Sequence, residues 1–217
     1  MVEKMNINKL RIPLDILMTI LSVILMGGTM FFPDDRVHQI FGISLIVIWV
    51  AHLVLNHRWY GTLFKGNYVP YRIMQIIVNL GVLLCALFLM ISGLLMAWFI
   101  PSSWVGGALG FARITHLLAS HWYYVFMAFH IGLHGAMLAS KIKIRGLATQ
   151  IICLLISLYG VYAFIIRGLW KYMSLRQQFF FLDLERGYVL FALDYIAILV
   201  FFGTVSYHLG RLIGGKK

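Results

Sequence analysis

Residues 116–135 read HLLASHWYYVFMAFHIGLHG. Four histidines, His116, His121, His130 and His134, sit in a run that is otherwise apolar enough to lie in a membrane. An ionisable side chain in hydrocarbon is costly, so each of these imidazoles calls for a physical reason. One interval recurs elsewhere in the chain. His116 and His130 are fourteen residues apart, and so are His38 and His52 in an earlier apolar run.

In an α-helix, fourteen residues turn through about 1,400°, roughly 40° short of four turns, and rise about 21 Å. Each pair therefore shares one face at two depths. In a hydrocarbon core about 30 Å thick, the two depths fall toward opposite leaflets. The helices that carry the pairs are separated by two crossings and are expected to run parallel. His38 then pairs with His116 on the outer side, and His52 with His130 on the inner side. Two neutral imidazoles at each depth are the ligand set of a haem iron, so the spacing predicts two non-covalently bound b haems.

His134 lies one turn beyond His130 on the same face and is the alternative inner ligand; His130 is preferred because it keeps the matched spacing. His121 is five residues from His116, about 140° around the helix, and is expected to point away from the haem face toward a neighbouring helix or a quinone. His57 and His208 read as interfacial or hydrogen-bonding residues near helix ends. A zinc site, structural histidines and a proton relay are the competing readings of the four paired residues.

Composition sets the frame. The 217 residues are 62% hydrophobic and only 12% charged, with a mean hydropathy of +0.90. That is the composition of an integral membrane protein in contact with lipid. The net charge of +11 sits in short loops, with no basic stripe for nucleic acid, and fits a positive-inside bias. Hydropathy predicts an all-α bundle of six transmembrane helices, about 13–33, 37–56, 73–100, 114–139, 147–167 and 188–213, forming a single domain over 1–217. Pro13 suits a first helical turn, and Pro33 and Pro101 mark helix exits. The segment 168–187 is amphipathic and aromatic, and is expected to lie along the interface as a short helix.

Twelve Lys and Arg residues fall on the side of the termini (Lys4, Lys9, Arg11, Arg58, Lys65, Arg72, Lys141, Lys143, Arg145, Arg211, Lys216 and Lys217). Six fall opposite (Arg36, Arg113, Arg167, Lys171, Arg176 and Arg186). Both termini are therefore expected in the cytoplasm. The first apolar segment leads into FFPDDR rather than a small-residue cleavage site, so it reads as a retained helix. Cys85 and Cys153 lie in apolar runs without a CxxCH motif, which argues against covalent haem attachment. Gly27, Gly28, Gly42, Gly81, Gly93, Gly132 and Gly135 would let a macrocycle or another helix approach closely. Arg36, Arg113, Arg58 and Lys65 lie at depths suited to haem propionates or to ordinary loop charge. Asp15 and Asp194 are interface acids that would serve quinone-linked protons, a cap or an interhelical hydrogen bond.

With these residues placed, the chain resembles the flavinylation-associated cytochrome family. The similarity is carried by LDILM at 14–18, HQIFG at 38–42, AHLVLNHRW at 51–59, ISG at 91–93 and HIGLH at 130–134. FFFLD at 179–183 and LDYIAIL at 193–199 extend it to the tail. The resemblance implies a multi-helix di-haem b-type cytochrome that moves electrons across the bacterial cytoplasmic membrane. It also implies an extracytoplasmic flavin-containing partner, since this chain has no soluble flavin domain of its own. Electrons would enter from the quinone pool, as menaquinol, or from another redox subunit. The expected role is that of an electron-transfer subunit more than of an enzyme with its own substrate. The alternatives are the anchor cytochrome of a ferric-reductase-, hydrogenase- or dehydrogenase-type complex, a haem-free proton-relaying transporter, and a structural anchor.

Overall fold

The computed structural model describes residues 7–29, 32, 34–135, 146–181 and 187–214. Pro33, the end of the fourth expected span at 136–139, Leu182 and Asp183 of FFFLD, and the loop cations Lys4, Lys141, Lys143, Arg145, Arg186, Lys216 and Lys217 lie outside the described residues. The described chain is helical with no strand, and it divides into two compact units, Met1–Asn67 and Tyr68–Lys217.

The first unit is a helical hairpin of α1 (Ile7–Leu25) and α2 (Asp35–Leu55), followed by a short α3 (His57–Tyr60). α1 begins before the expected limit, so Pro13 lies inside it rather than in its first turn. A proline there removes one backbone donor from the helix. α1 also ends at Leu25, well short of 33, because Gly27 and Gly28 close it instead of continuing it. Gly28 adopts φ +61°, the left-handed conformation that stops a helix, and its N–H donates to the Leu25 carbonyl at 3.1 Å. The Asp34 side chain caps α2 by accepting from the Arg36 N–H at 2.8 Å. At the other end of α2, Arg11 donates through Nη2 to the Leu55 carbonyl at 2.6 Å, placing a cation on a helix C-terminus.

The second unit holds α4 (Pro70–Leu95), α5 (Ser102–Val105), α6 (Ala108–Leu133), α7 (Leu147–Ile166), α8 (Leu169–Met173) and α9 (Gly187–Ile213). Pro70 starts α4 in the position where its missing N–H costs nothing. α4 stops at Leu95, ahead of the expected 100, and α6 begins at Ala108, ahead of the expected 114. Gly168, at φ +66°, terminates α7 and turns the chain into α8, the only helix among the described residues of the expected interfacial segment.

α6 packs against α4 and α9, and α7 against α9. Small residues make these approaches close. A Cβ on Gly132 would collide with the Gly203 carbonyl and with Ser206, and one on Gly160 would collide with the Ala197 carbonyl. Hydrogen bonds tie the same helices together, with Tyr124 donating to the Tyr195 carbonyl at 2.7 Å and Ser206 to the Phe129 carbonyl at 2.8 Å. Tyr124, Ala128, Ala163 and Ile198 are fully buried at this junction.

Among the described residues, four helices are long and apolar enough to cross a membrane: α2, α4, α7 and α9. Their outward faces expose leucine, isoleucine and valine, as along Ile151, Leu154, Leu155 and Leu158 of α7, which suits contact with lipid. α1 and α6 are of spanning length but carry polar loads, Arg11 and Asp15 in one, Arg113 and three histidines in the other.

Candidate functional site

The interest of the polar loads lies in their partners. On α2, the His52 ring meets Asp15 of α1, Nδ1 to Oδ1, at 2.7 Å. On α6, His130 Nδ1 meets Asn79 Oδ1 of α4, also at 2.7 Å, and His116 Nδ1 meets Ser92 Oγ of α4 at 3.2 Å. The His38 ring lies beside the backbone of Gly28, just beyond the end of α1, and within the electrostatic reach of the Asp35 carboxylate. Each helix carrying a fourteen-residue histidine pair is thus backed by the long helix that precedes it, which supplies Asp15 to His52, Asn79 to His130 and Ser92 to His116. The partners also keep step, thirteen residues apart in each case, Asp15 to Gly28 and Asn79 to Ser92. No internal repeat is visible in the sequence, yet each hairpin sets the second histidine of its pair, through Nδ1, against a side-chain oxygen of the preceding helix.

The partner atoms fix the tautomers. A carboxylate oxygen can only accept, so His52 Nδ1 carries the proton. Ser92 has one hydroxyl proton, and its oxygen lies 2.6 Å from the Phe88 carbonyl, which can only accept it. Toward His116 the serine therefore accepts, and His116 Nδ1 is protonated as well. Asn79 presents its carbonyl oxygen to His130, with the same result. In the neutral form of all three rings the lone pair then resides on Nε2, the nitrogen through which such a held imidazole ligates a metal. Gly93 gives His116 its room, since a Cβ there would stand 3.2 Å from His116 Cε1. At Gly42, one turn after His38, a Cβ would meet nothing within 4 Å among the described residues.

His134 differs from the other four. It forms the C-cap of α6, is exposed, and sets its ring edge-on to His130 with centroids 5.0 Å apart. His57 holds the Val54 carbonyl through Nδ1 at 2.7 Å, and His208 packs edge-on against Tyr207 near the end of α9. Arg36, Arg58, Arg113 and Lys65 all lie at the surface. Cys85 and Cys153 are free thiols.

His121 turns away from the His116 face, as its angle on the helix predicts. Its ring is 1% exposed, Nδ1 donates to the Leu117 carbonyl at 2.8 Å, and the ring stacks on Tyr172 of α8 with centroids 4.4 Å apart. Burial raises the Tyr172 phenol above its ordinary pKa, against the opposing hydrogen bonds from Phe181 and Gln177. Asp194 of α9 makes the interhelical bonds that a buried acid needs. Its oxygens accept from Arg167 Nε at 2.7 Å and from the Tyr159 hydroxyl at 2.5 Å, with the acid 0% and the arginine 6% exposed. Arg167 also lies over the Phe191 ring at 5.4 Å. This cluster ties α7 to α9.

Nothing in the sequence marks Asn79 or the backbone of Gly28 as a histidine partner, and Ser92 stands out only within ISG. A lone asparagine in the apolar run IIVNLGVLL was the available signal. Among the described residues, no three His, Cys, Asp or Glu side chains gather as a protein-only metal site would require. Comparisons with protein-family models, with curated proteins and with solved structures returned no match.

Proposed function

We propose that the chain is a six-span membrane cytochrome holding two non-covalent b haems. The ligands are His38 with His116 toward the outer face and His52 with His130 toward the inner face, with His134 the alternate to His130. It acts as an electron-transfer subunit of the bacterial cytoplasmic membrane, with both termini in the cytoplasm. It connects the quinone pool or a redox partner with an extracytoplasmic flavin-containing protein, the partner implied by the resemblance to flavinylation-associated cytochromes.

One observation carries this reading. Of the four histidines at two matched fourteen-residue intervals, His52, His116 and His130 are each held through Nδ1 by a side chain of the preceding helix. Histidines kept only for packing have no need of that recurrence, whereas metal-ligating histidines almost always have the opposite nitrogen held. The donor set fits haem, since the porphyrin supplies four ligands and the protein need supply only two per iron. When bound, haem supplies a one-electron iron couple. The chain's own residues do the rest. Asp15, Asn79 and Ser92 orient the imidazoles and keep their protons on Nδ1, and Gly93 clears the volume beside His116.

Single alanine substitutions at His38, His52, His116 and His130, followed by electron paramagnetic resonance of the oxidised protein, test the assignment. Each variant is expected to lose one low-spin bis-histidine signal and keep the other. His38→Ala and His116→Ala should remove the same signal, and His52→Ala and His130→Ala the other one. Variants that retain both signals would overturn it.

A further inference from the structure

The chain between α7 and α9 carries an arrangement that the proposed electron transfer leaves unused. Both helices are long and apolar enough to cross a membrane, so the segment that leaves α7 at Gly168 meets a membrane surface. α8 buries Leu169 and Tyr172 and leaves Trp170 and Lys171 outside. Tyr172 pins the segment down. Its ring stacks on His121, and its hydroxyl accepts from Gln177 Nε2 at 3.0 Å and from the Phe181 N–H at 3.3 Å. Leu175, at φ +57°, takes the left-handed conformation that ends a helix, and the Arg176 N–H returns to the Lys171 carbonyl at 2.9 Å. That turn brings the Arg176 guanidinium over the Trp170 ring at 5.3 Å, where the Lys171 ammonium already stands at 5.8 Å. Two like charges therefore converge on one indole. Neither meets a carboxylate among the described residues, and the ring attracts a cation without neutralising it. A few residues on, Phe179 and Phe181 are 74% and 68% exposed.

We propose that Trp170, Lys171 and Arg176 form a binding site for the phosphate of an anionic phospholipid. At a membrane surface the abundant anion is the lipid phosphate, and basic side chains held there attract it. A headgroup with its own ammonium, as in phosphatidylcholine, sets a third cation against the pair. Phosphatidylglycerol brings only the negative charge. The indole suits the same boundary, being apolar in its rings and polar at its N–H. Phe179 and Phe181 offer apolar surface to the acyl chains, so the segment addresses both ends of the lipid. An acidic protein surface would match the two charges, and the exposed phenylalanines favour the lipid over it. The proposal rests on α7 and α9 crossing a membrane and is independent of the di-haem reading.

The test is native mass spectrometry of the purified full chain, taken from micelles holding equal amounts of phosphatidylglycerol and phosphatidylcholine, with a phosphatidylglycerol titration beside it. Wild type is expected to retain a phosphatidylglycerol that the double variant Lys171→Gln with Arg176→Gln does not. Each basic residue near a membrane surface strengthens the attraction about fivefold, so the pair should be worth about thirty-fold in affinity at this site. Lys171→Arg with Arg176→Lys, which keeps both charges, should retain the lipid. If the glutamine variant does not fold, wild type at high salt decides, since screening should release this lipid. Equal retention of phosphatidylglycerol by wild type and the glutamine variant would overturn the proposal, leaving the two cations to an acidic protein surface. Equal retention of the two lipids by wild type, or retention indifferent to salt, would overturn it too. Displacement of the lipid by inorganic phosphate at equal concentration would also overturn it, assigning the cations to a free anion.

Discussion

Asp15 and His52 face each other across the α1–α2 hairpin, joined by a 2.7 Å hydrogen bond from Nδ1 to a carboxylate oxygen. Four residues earlier on α1, Arg11 reaches the carbonyl of Leu55, three residues further along α2. These two contacts fix the antiparallel register of the hairpin at that end, and the contact of His38 with Gly28 marks the other end. The hairpin is therefore registered at three points by polar groups, two of which are histidines of the fourteen-residue pair. Between α4 and α6, Asn79 with His130 and Ser92 with His116 give the same kind of register.

The choice between His130 and His134 is open to a direct comparison. His130 has its Nδ1 held by Asn79, whereas His134 is the exposed C-cap of the helix. His130→Ala is expected to remove one low-spin haem, and His134→Ala to leave both, as counted from the absorption spectra of the reduced proteins. The reverse outcome would move the ligand one turn along.

His121 supplies a control. Its ring stacks on Tyr172 and its Nδ1 is occupied by the Leu117 carbonyl. Replacement by leucine should leave both haems and cost about 0.5–1.5 kcal/mol of stability, the range for an aromatic pair. Haem content and a thermal melt in detergent measure the two effects separately. Loss of the haem assigned to His116 would show that the register of α6 is wrong.

The Asp194–Arg167 pair is predicted to be structural. Removing one partner of a buried ion pair strands the other, so Asp194→Ala should destabilise the fold by about 3–5 kcal/mol. Tyr159→Phe, which removes only a hydroxyl donor, should cost about 1 kcal/mol. Neither change touches a proposed ligand, and the molecules that remain folded should carry the wild-type haem ratio.

Gly93 and Gly160 should separate site from scaffold. A methyl at Gly93 presses on His116 at 3.2 Å, so Gly93→Ala is expected to alter the spectrum of a single haem. At Gly160 a methyl meets the Ala197 carbonyl and forces α7 away from α9. Gly160→Ala should lower stability by about 1–3 kcal/mol, the cost of overpacking, and leave the spectra unaltered.

The all-helical fold was legible in the sequence, for identifiable reasons. Long apolar runs located the long helices among the described residues, four of which are long and apolar enough to cross a membrane. Helix ends were less legible. Gly27 and Gly28 read equally well as packing residues in a continuing helix or as its stop, and only φ +61° at Gly28 distinguishes them. The angular position of His121 followed from the helical repeat alone. The partners did not, since pairing Asp15 with His52 requires the register between two helices, which no local pattern encodes. Asp194 was recognisable as an acid needing a partner, but Arg167 lies 27 residues away on another helix.

If the matched histidines hold two b haems, their number can be counted. The measurement is a reduced pyridine haemochrome spectrum of the purified protein, expressed with ample haem and set against protein concentration. Two b haems per chain is the expected result. A colourless protein under those conditions would contradict the account, leaving the matched histidines to some other purpose.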